Sequence, residues 1–361
     1  MGHDEELTLG PLKRYCLAAY FILIFLTSVM GDTTVLIASL KYKVFQLHEF
    51  LVIIIQNIAV CNLLRSLLVI LLFKLPALLE QEWVLGKVLC HVSAFTNRYL
   101  WTESTLLVCA LTTSKYLLLK EPLRGSLMTK TWAYFLCTAT WICSLILHTA
   151  KSLIIHFGDN GNVSLANGNV SFAYETNDCE YKTKSDAKIW IYPFNILLLY
   201  VPSILVIYTS VHSVILLARA RRVAKRSGEP VRWQGVTTVV LTAAAYIIIS
   251  LPLIFTAEIA TFDYHEQKGD ITWLRVAVAV EQLIVIPNFF IYCLTVNSFR
   301  VFLRARLQML KTAIGLTPKS ENVKTQGKFL NFVTHFSQCS DFSRFHTSHF
   351  IFINYIRSTD Y

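Results

Sequence analysis

Charge is scarce in this chain. Only 16% of its 361 residues are Asp, Glu, Lys or Arg, against about 25% in an ordinary soluble domain. That deficit argues against the pair of water-facing globules that length alone would suggest. The marks of the commoner enzymes are missing too, since there is no Gly-rich phosphate loop, nucleophile elbow or His-Glu-x-x-His, and no enzymatic activity is expected. Nine cysteines contain no C-x-x-C pair, so neither a zinc site nor a dithiol redox centre is expected, and no metal or cofactor. Alternating barrel strands are also absent.

Apolar residues are abundant, at 54%, and they are gathered into long runs. A bilayer core of about 30 Å takes roughly 20 helical residues to cross. Seven stretches qualify: Tyr15–Leu40, Leu51–Leu75, Val88–Leu119, Trp132–Phe157, Lys188–Leu217, Gly235–Phe262 and Trp273–Val296. Backbone amides in hydrocarbon must be satisfied within the segment, so such runs are helices. The first is too long for a cleavable signal and no small-residue cleavage site ends it, so it reads as a retained anchor.

Direction follows from the loops. Lys41, Lys43, Lys115, Lys120, Arg124 and Lys130 lie on one side, with Arg219, Arg221, Arg222, Lys225, Arg226, Arg232, Arg300, Arg304, Arg306 and Lys311. The other side mixes Asp159, Glu175, Asp178, Glu180, Asp263, Glu266 and Asp270 with Lys182 and Lys268. Positive-inside bias places the N-terminus outside and the C-terminus in the cytoplasm. The net charge of +10 is thus a mark of topology, and no nucleic-acid partner is expected. Both glycosylation sequons, at Asn162 and Asn169, fall in a loop this topology places outside. The expectation is an all-α integral membrane protein of the plasma membrane. Residues 1–14 are outside, 15–311 form the bundle and 312–361 a cytoplasmic tail.

Topology alone leaves receptor, carrier, retinal protein and channel open. Short motifs narrow the choice. Gly31-Asp32-Thr33-Thr34-Val35 sits in span one and Asn57-Ile58-Ala59-Val60-Cys61-Asn62-Leu63 in span two. Trp83-Val84-Leu85-Gly86 precedes Cys90, and Ser114-Lys115-Tyr116 ends span three ahead of Pro122-Leu123. Trp141, Pro202 and Pro252 mark spans four, five and six, and Asn288-Phe289-Phe290-Ile291-Tyr292 ends span seven before Phe299-Arg300. In this order the chain resembles the rhodopsin-like (class A) G-protein-coupled receptors over residues 15 to 311. The resemblance implies a seven-transmembrane helix bundle with a short amphipathic eighth helix, and a disulfide between Cys90 and Cys179. It also implies an extracellular ligand, a heterotrimeric G protein and an arrestin-type protein as partners, besides membrane lipid.

The departures bear on mechanism. Asn62 stands where span two of the family carries aspartate, and Asp32 where span one carries asparagine. Asp-Arg of span three is Ser114-Lys115, and lysine lacks the planar fork of arginine. Ser210 takes the place of the span-five tyrosine, with Tyr208 two residues earlier; Ile249-Ser250 replaces Cys-Trp, and Pro287 comes just before Asn288, with Phe289 at the usual proline site.

Ionisable residues inside a span are functional candidates by default. Asp32, Arg65, Arg98, Glu103 and Glu281 are such residues, with Arg65 one turn outward from Asn62. Arg65 is expected to pair with Asp32, Glu103 or Glu281, either as a structural ion pair or in ligand binding. A buried polar network of Asp32, Asn62, Arg65, Glu103, Ser104 and Asn288 is expected, but Asn62 and Arg65 count against the family's sodium ion.

By resemblance the ligand cavity would be lined by Asn97, Arg98, Trp101, Lys151, Trp190, Glu258, Glu281 and Gln282. Asn97 stands where amine receptors carry an aspartate and cannot neutralise an ammonium. No lysine in span seven could hold retinal. Arg98 with Lys151 suits a carboxylate or an acidic peptide, although lysine and tryptophan near span ends also anchor at the interface. Ser114, Lys115, Tyr116, Tyr292 and Arg222 would serve G-protein coupling. The expected function is a receptor for a peptide or small acidic ligand. A non-signalling decoy of the same fold is the first alternative, and a carrier or channel the second.

Overall fold

The computed structural model describes residues 10–42, 44–45, 48–121, 128–157, 170–173, 178–181, 193–227, 234–263 and 271–313. Trp190, Asn162, Asn169 and the tail beyond 313 lie outside the described residues, as does the side chain of Glu258.

Among the described residues the chain runs through seven long helical rods and an eighth helix. The first, α1 (Pro11–Leu40), starts with proline in its first turn, where the missing N–H costs nothing. The second, α2 (Glu49–Glu80), is one rod of 32 residues. Gly86–Lys120 forms α3, and Lys130–Phe157 forms α4. Val201–Ser227 is α5, entered through an under-wound stretch at Ile196–Tyr200. Gln234–Asp263 is α6. The seventh rod, α7, comprises Ile271–Glu281, a tighter turn at Gln282–Val285 and Pro287–Thr295, with a 48° bend at the break. Proline at the head of its last piece has no N–H to continue the ladder. Asn297–Ala313 is α8, which buries Phe299 and Phe302 and exposes Arg300 and Arg304.

Four of the rods (α1, α2, and the helices at Lys130–Leu153 and Pro193–Ala220) are long and apolar enough to cross a membrane. The two bent pieces of α7 make a fifth when taken as one span. The polar run from Thr96 to Thr105 in α3 keeps that helix below the mark. Its surroundings explain why it can be polar, since α3 packs against α2, α4, α5 and α6. Around the outside, Leu23, Met30, Ile142, Ile146, Ile204, Ile248 and Leu294 are exposed, a surface suited to lipid and not to water.

Within α2 the winding changes. Arg65–Lys74 is π-helical, closing i→i+5 bonds. The buried pairs Arg65/Ser66, Val69/Ile70, Phe73/Lys74 and Ala77/Leu78 recur every fourth residue. An α-helix of 3.6 residues per turn would carry such pairs round by about 40° at each repeat. Under-winding opposes that drift.

Strands β1 (Val170–Ala173) and β2 (Asp178–Tyr181) make an antiparallel hairpin with Phe172 opposite Cys179. Cys179 is bonded to Cys90 at one end of α3, Cα–Cα 5.3 Å, and Trp83 packs on this cluster. The Trp83 indole N–H donates to the Gly86 carbonyl at 2.7 Å. Gly86 sits at φ +79°, a left-handed conformation that favours glycine. This end of the bundle is called the hairpin end below.

Candidate functional site

Between α2, α3 and α7, one helical turn from the centre toward the hairpin end, lies a buried ion pair. Arg65 donates through Nη2 to the Glu281 carboxylate, both side chains being sealed from solvent. Of the three carboxylates that the sequence offered to Arg65, Glu281 is the one it meets. The register is set by Cys61, whose Sγ donates to the Leu100 carbonyl at 3.4 Å. One turn nearer the hairpin end, α2 presents Arg65 while antiparallel α3 presents Asn97 and Arg98, with Trp101 back at the level of Leu100. Trp101 is buried, Asn97 half-buried and Arg98 exposed, and Gln282 lies buried beside Glu281 in the chain. Glu281 also feels the positive charges of Lys74 and Arg98.

Further toward α4, Lys151 donates to Asn195 Oδ1 at 2.8 Å and His148 shares a hydrogen bond of 2.8 Å with Thr102. Lys151 therefore turns toward the stretch that leads into α5.

The six residues of the expected polar network divide into separate clusters. Asp32 accepts from Ser28 at 2.9 Å and from Asn62 Nδ2 at 3.3 Å, and Ser66 donates to Ser28 at 2.7 Å. Glu103 faces α4 instead, accepting from Thr140 at 2.8 Å and Ser144 at 2.7 Å. A single network does not describe it, because Glu103 and Arg65 leave their helices in different directions. Ser104 and Asn288 are buried at the same central level. The α4 hydroxyls escaped the sequence reading, although Thr140 and Ser144 stand four apart on one helical face. Lys74 was missed as well, because it lies at the end of an apolar run.

At the opposite end, Tyr116 packs edge-on to Tyr208 and His212, with centroids 6.3 and 6.1 Å away. Tyr208 thus reaches span three although it sits two residues before Ser210. Ser114 is buried, Lys115 half-buried and Arg222 exposed. Tyr292 is not on the surface beside them. It is buried between Phe45 and Phe299. Nearby Arg306 lies over the Tyr42 ring and donates to its hydroxyl, clasping α8 to the turn after α1.

The description "7 transmembrane receptor (rhodopsin family)" matches residues 31–341. The chain belongs to this family. In the solved structure of squid rhodopsin, 14% identical, the receptor's fold is matched with a TM-score of 0.69 over 89% of this chain and 92% of the other. Among curated proteins it is similar to a QRFP-like peptide receptor of Branchiostoma floridae, 26% identical over 41% of this chain and 38% of the relative. It is similar also to C-X-C chemokine receptor type 2 of Canis lupus familiaris, 24% identical over 38% of this chain and 37% of that one. An alpha-1A adrenergic receptor of Oryzias latipes is 26% identical over 38% of this chain and 29% of the relative. The receptor thus aligns with well under half the length of each of these relatives.

Proposed function

We propose that this receptor lies in the plasma membrane with its hairpin end outside, takes an extracellular ligand there and passes the signal to a heterotrimeric G protein inside. The observation that carries the reading is the division of the bundle. A charged, partly open cluster of Arg98, Lys151, Arg65 and Glu281 lies toward the disulfide-held hairpin. Basic and aromatic side chains, Lys115, Tyr116 and Arg222, lie at the other end. Positive-inside bias supports the orientation. The ligand is a peptide or a small acidic molecule. Asn97 offers no charge for an amine, whereas Arg98 and Lys151 suit an acid. Relatives are named for both peptides and amines, so the cavity residues carry this part of the argument.

A second reading is supported by Ser114-Lys115. A point-charge ammonium replaces the planar guanidinium of the family pattern, as in a receptor that binds without signalling. Basal G-protein signalling of the wild type beside Lys115→Arg, at matched surface expression, decides between them. The signalling reading expects activity to rise about tenfold with arginine, the change that roughly 1.4 kcal/mol of added contact would give. Silence of both at full expression favours the decoy.

A further inference from the structure

We propose that the Arg65–Glu281 pair is a receiving site for a small-molecule carboxylate, which replaces Glu281 on Arg65 and so releases α7 at its break. This rests on the receptor reading above and names the ligand class.

Arg65 is 1% exposed, yet only Nη2 is engaged, and Nε and Nη1 have no hydrogen-bond partner. A guanidinium carries five N–H donors, and leaving buried donors unmet is costly. The Trp101 indole N–H, also buried, likewise has no acceptor. Arg65, with two nitrogens unmet beside its one resident carboxylate, has donors to spare for an anion.

The winding of α2 adds to it. Lys74 is nine residues from Arg65, which in an α-helix is about 180° round the axis and would turn Lys74 to the lipid. A π-helix turns about 80° per residue, bringing the two cations close to one face. Both are 1% exposed, and the charge of Lys74 reaches Glu281. Arg98 reaches it too. One cation thus holds the carboxylate and two more act on it from further away.

Carboxylate chemistry follows from the occupant, because an acid of the same shape and charge can exchange with the Glu281 side chain. Smallness follows from burial: Arg65, Trp101 and Gln282 are no more than 6% exposed, while Arg98 is open and marks the way in. The consequence for the bundle comes from position. Glu281 is the last residue of its helical piece before the tight turn Gln282–Val285 and the 48° bend. Its bond to Arg65 ties that break to α2.

The test is thermal unfolding of the purified full chain in lipid nanodiscs, with acetate, succinate or decanoate replacing chloride at constant ionic strength. At least one acid is expected to raise Tm saturably, succinate or acetate marking a water-borne source and decanoate a membrane one. Glu281→Gln, which removes the competing carboxylate, is expected to shift half-saturation about tenfold lower, and Arg98→Gln about tenfold higher. The neutral pair Arg65→Gln/Glu281→Gln removes one charge of each sign and is expected to fold and lose the effect. Three acids indistinguishable from chloride, or equal protection of the neutral pair, would overturn the inference. Because the readout is stability, it stands or falls apart from the signalling result with Lys115→Arg.

Discussion

At the scale of single residues, the tightest constraint is a missing side chain. A Cβ built on Gly31 would lie 2.8 Å from the Cβ of Phe289, closer than two carbons approach. Phe289 occupies the place where the family pattern has proline, so glycine on α1 and phenylalanine on α7 must be read together. Gly31→Ala is expected to cost about 1–3 kcal/mol through overpacking, read as a lower Tm in a thermal melt. An unchanged Tm would mean that α1 and α7 separate freely. The exchange of acid and amide between Asp32 and Asn62 was legible from the sequence, and the hydrogen bond between them at 3.3 Å shows that the two sites still face each other. The choice of Glu281 by Arg65 was not legible, because it depends on how α7 is rotated at its break. Glu103 was visible as an intramembrane acid, but its α4 partners, Thr140 and Ser144, are hydroxyls of a kind that often bond only their own helix.

At the scale of elements, hydrophobic periodicity found the rods but not their winding. A sequence reads the same whether α2 continues as an α-helix or loosens at Arg65, and only packing shows that the buried pairs recur every fourth residue. Lys74 was missed for that reason. The start of α2 offers a measurable feature of another kind. His48 caps it, with Nδ1 accepting from the Phe50 N–H at 3.4 Å, which requires an unprotonated Nδ1. Burial pushes the His48 imidazole below its usual range, opposed by Glu49 and aided by Lys115. A lowered folded-state value means that the neutral form is favoured by folding. Its contribution is therefore complete above the ordinary value of about 6.5 and is lost as pH falls through that value toward the depressed one. His48→Asn keeps a capping oxygen without a titrating group. Melts of the wild type between pH 7.5 and 5 are expected to show a fall in Tm that this variant lacks in part; parallel curves would remove His48 from the account.

For the whole molecule, the spans of the bundle were more legible than its interior. Apolar runs marked out the spans because lipid imposes length and apolarity on every segment it touches. The most enclosed helix, α3, is released from that demand and spends its freedom on Asn97, Arg98, Glu103 and Ser104. Where lipid dictates the residues, sequence predicts structure; where helices face only each other, polar bonds set the association and several pairings are compatible with one sequence. The Cys90–Cys179 bond fits the same division. The resemblance implied it, while the hairpin that it holds was not anticipated.

The sealed tyrosine of α7 has a consequence for how firmly this arrangement is preferred. The Tyr292 hydroxyl is buried without a hydrogen-bond partner, and an unmet buried hydroxyl costs about 1–3 kcal/mol. That free energy is withheld from this packing and recovered by any form in which the hydroxyl meets water or an acceptor. The balance between the two is therefore closer than the packing of Phe45 and Phe299 around the ring would suggest. Tyr292→Phe keeps the ring and removes the unmet hydroxyl, so it is expected to raise Tm; a drop in Tm would show that the hydroxyl is already satisfied. A molecule arranged this way holds this packing by less than its buried rings alone would give.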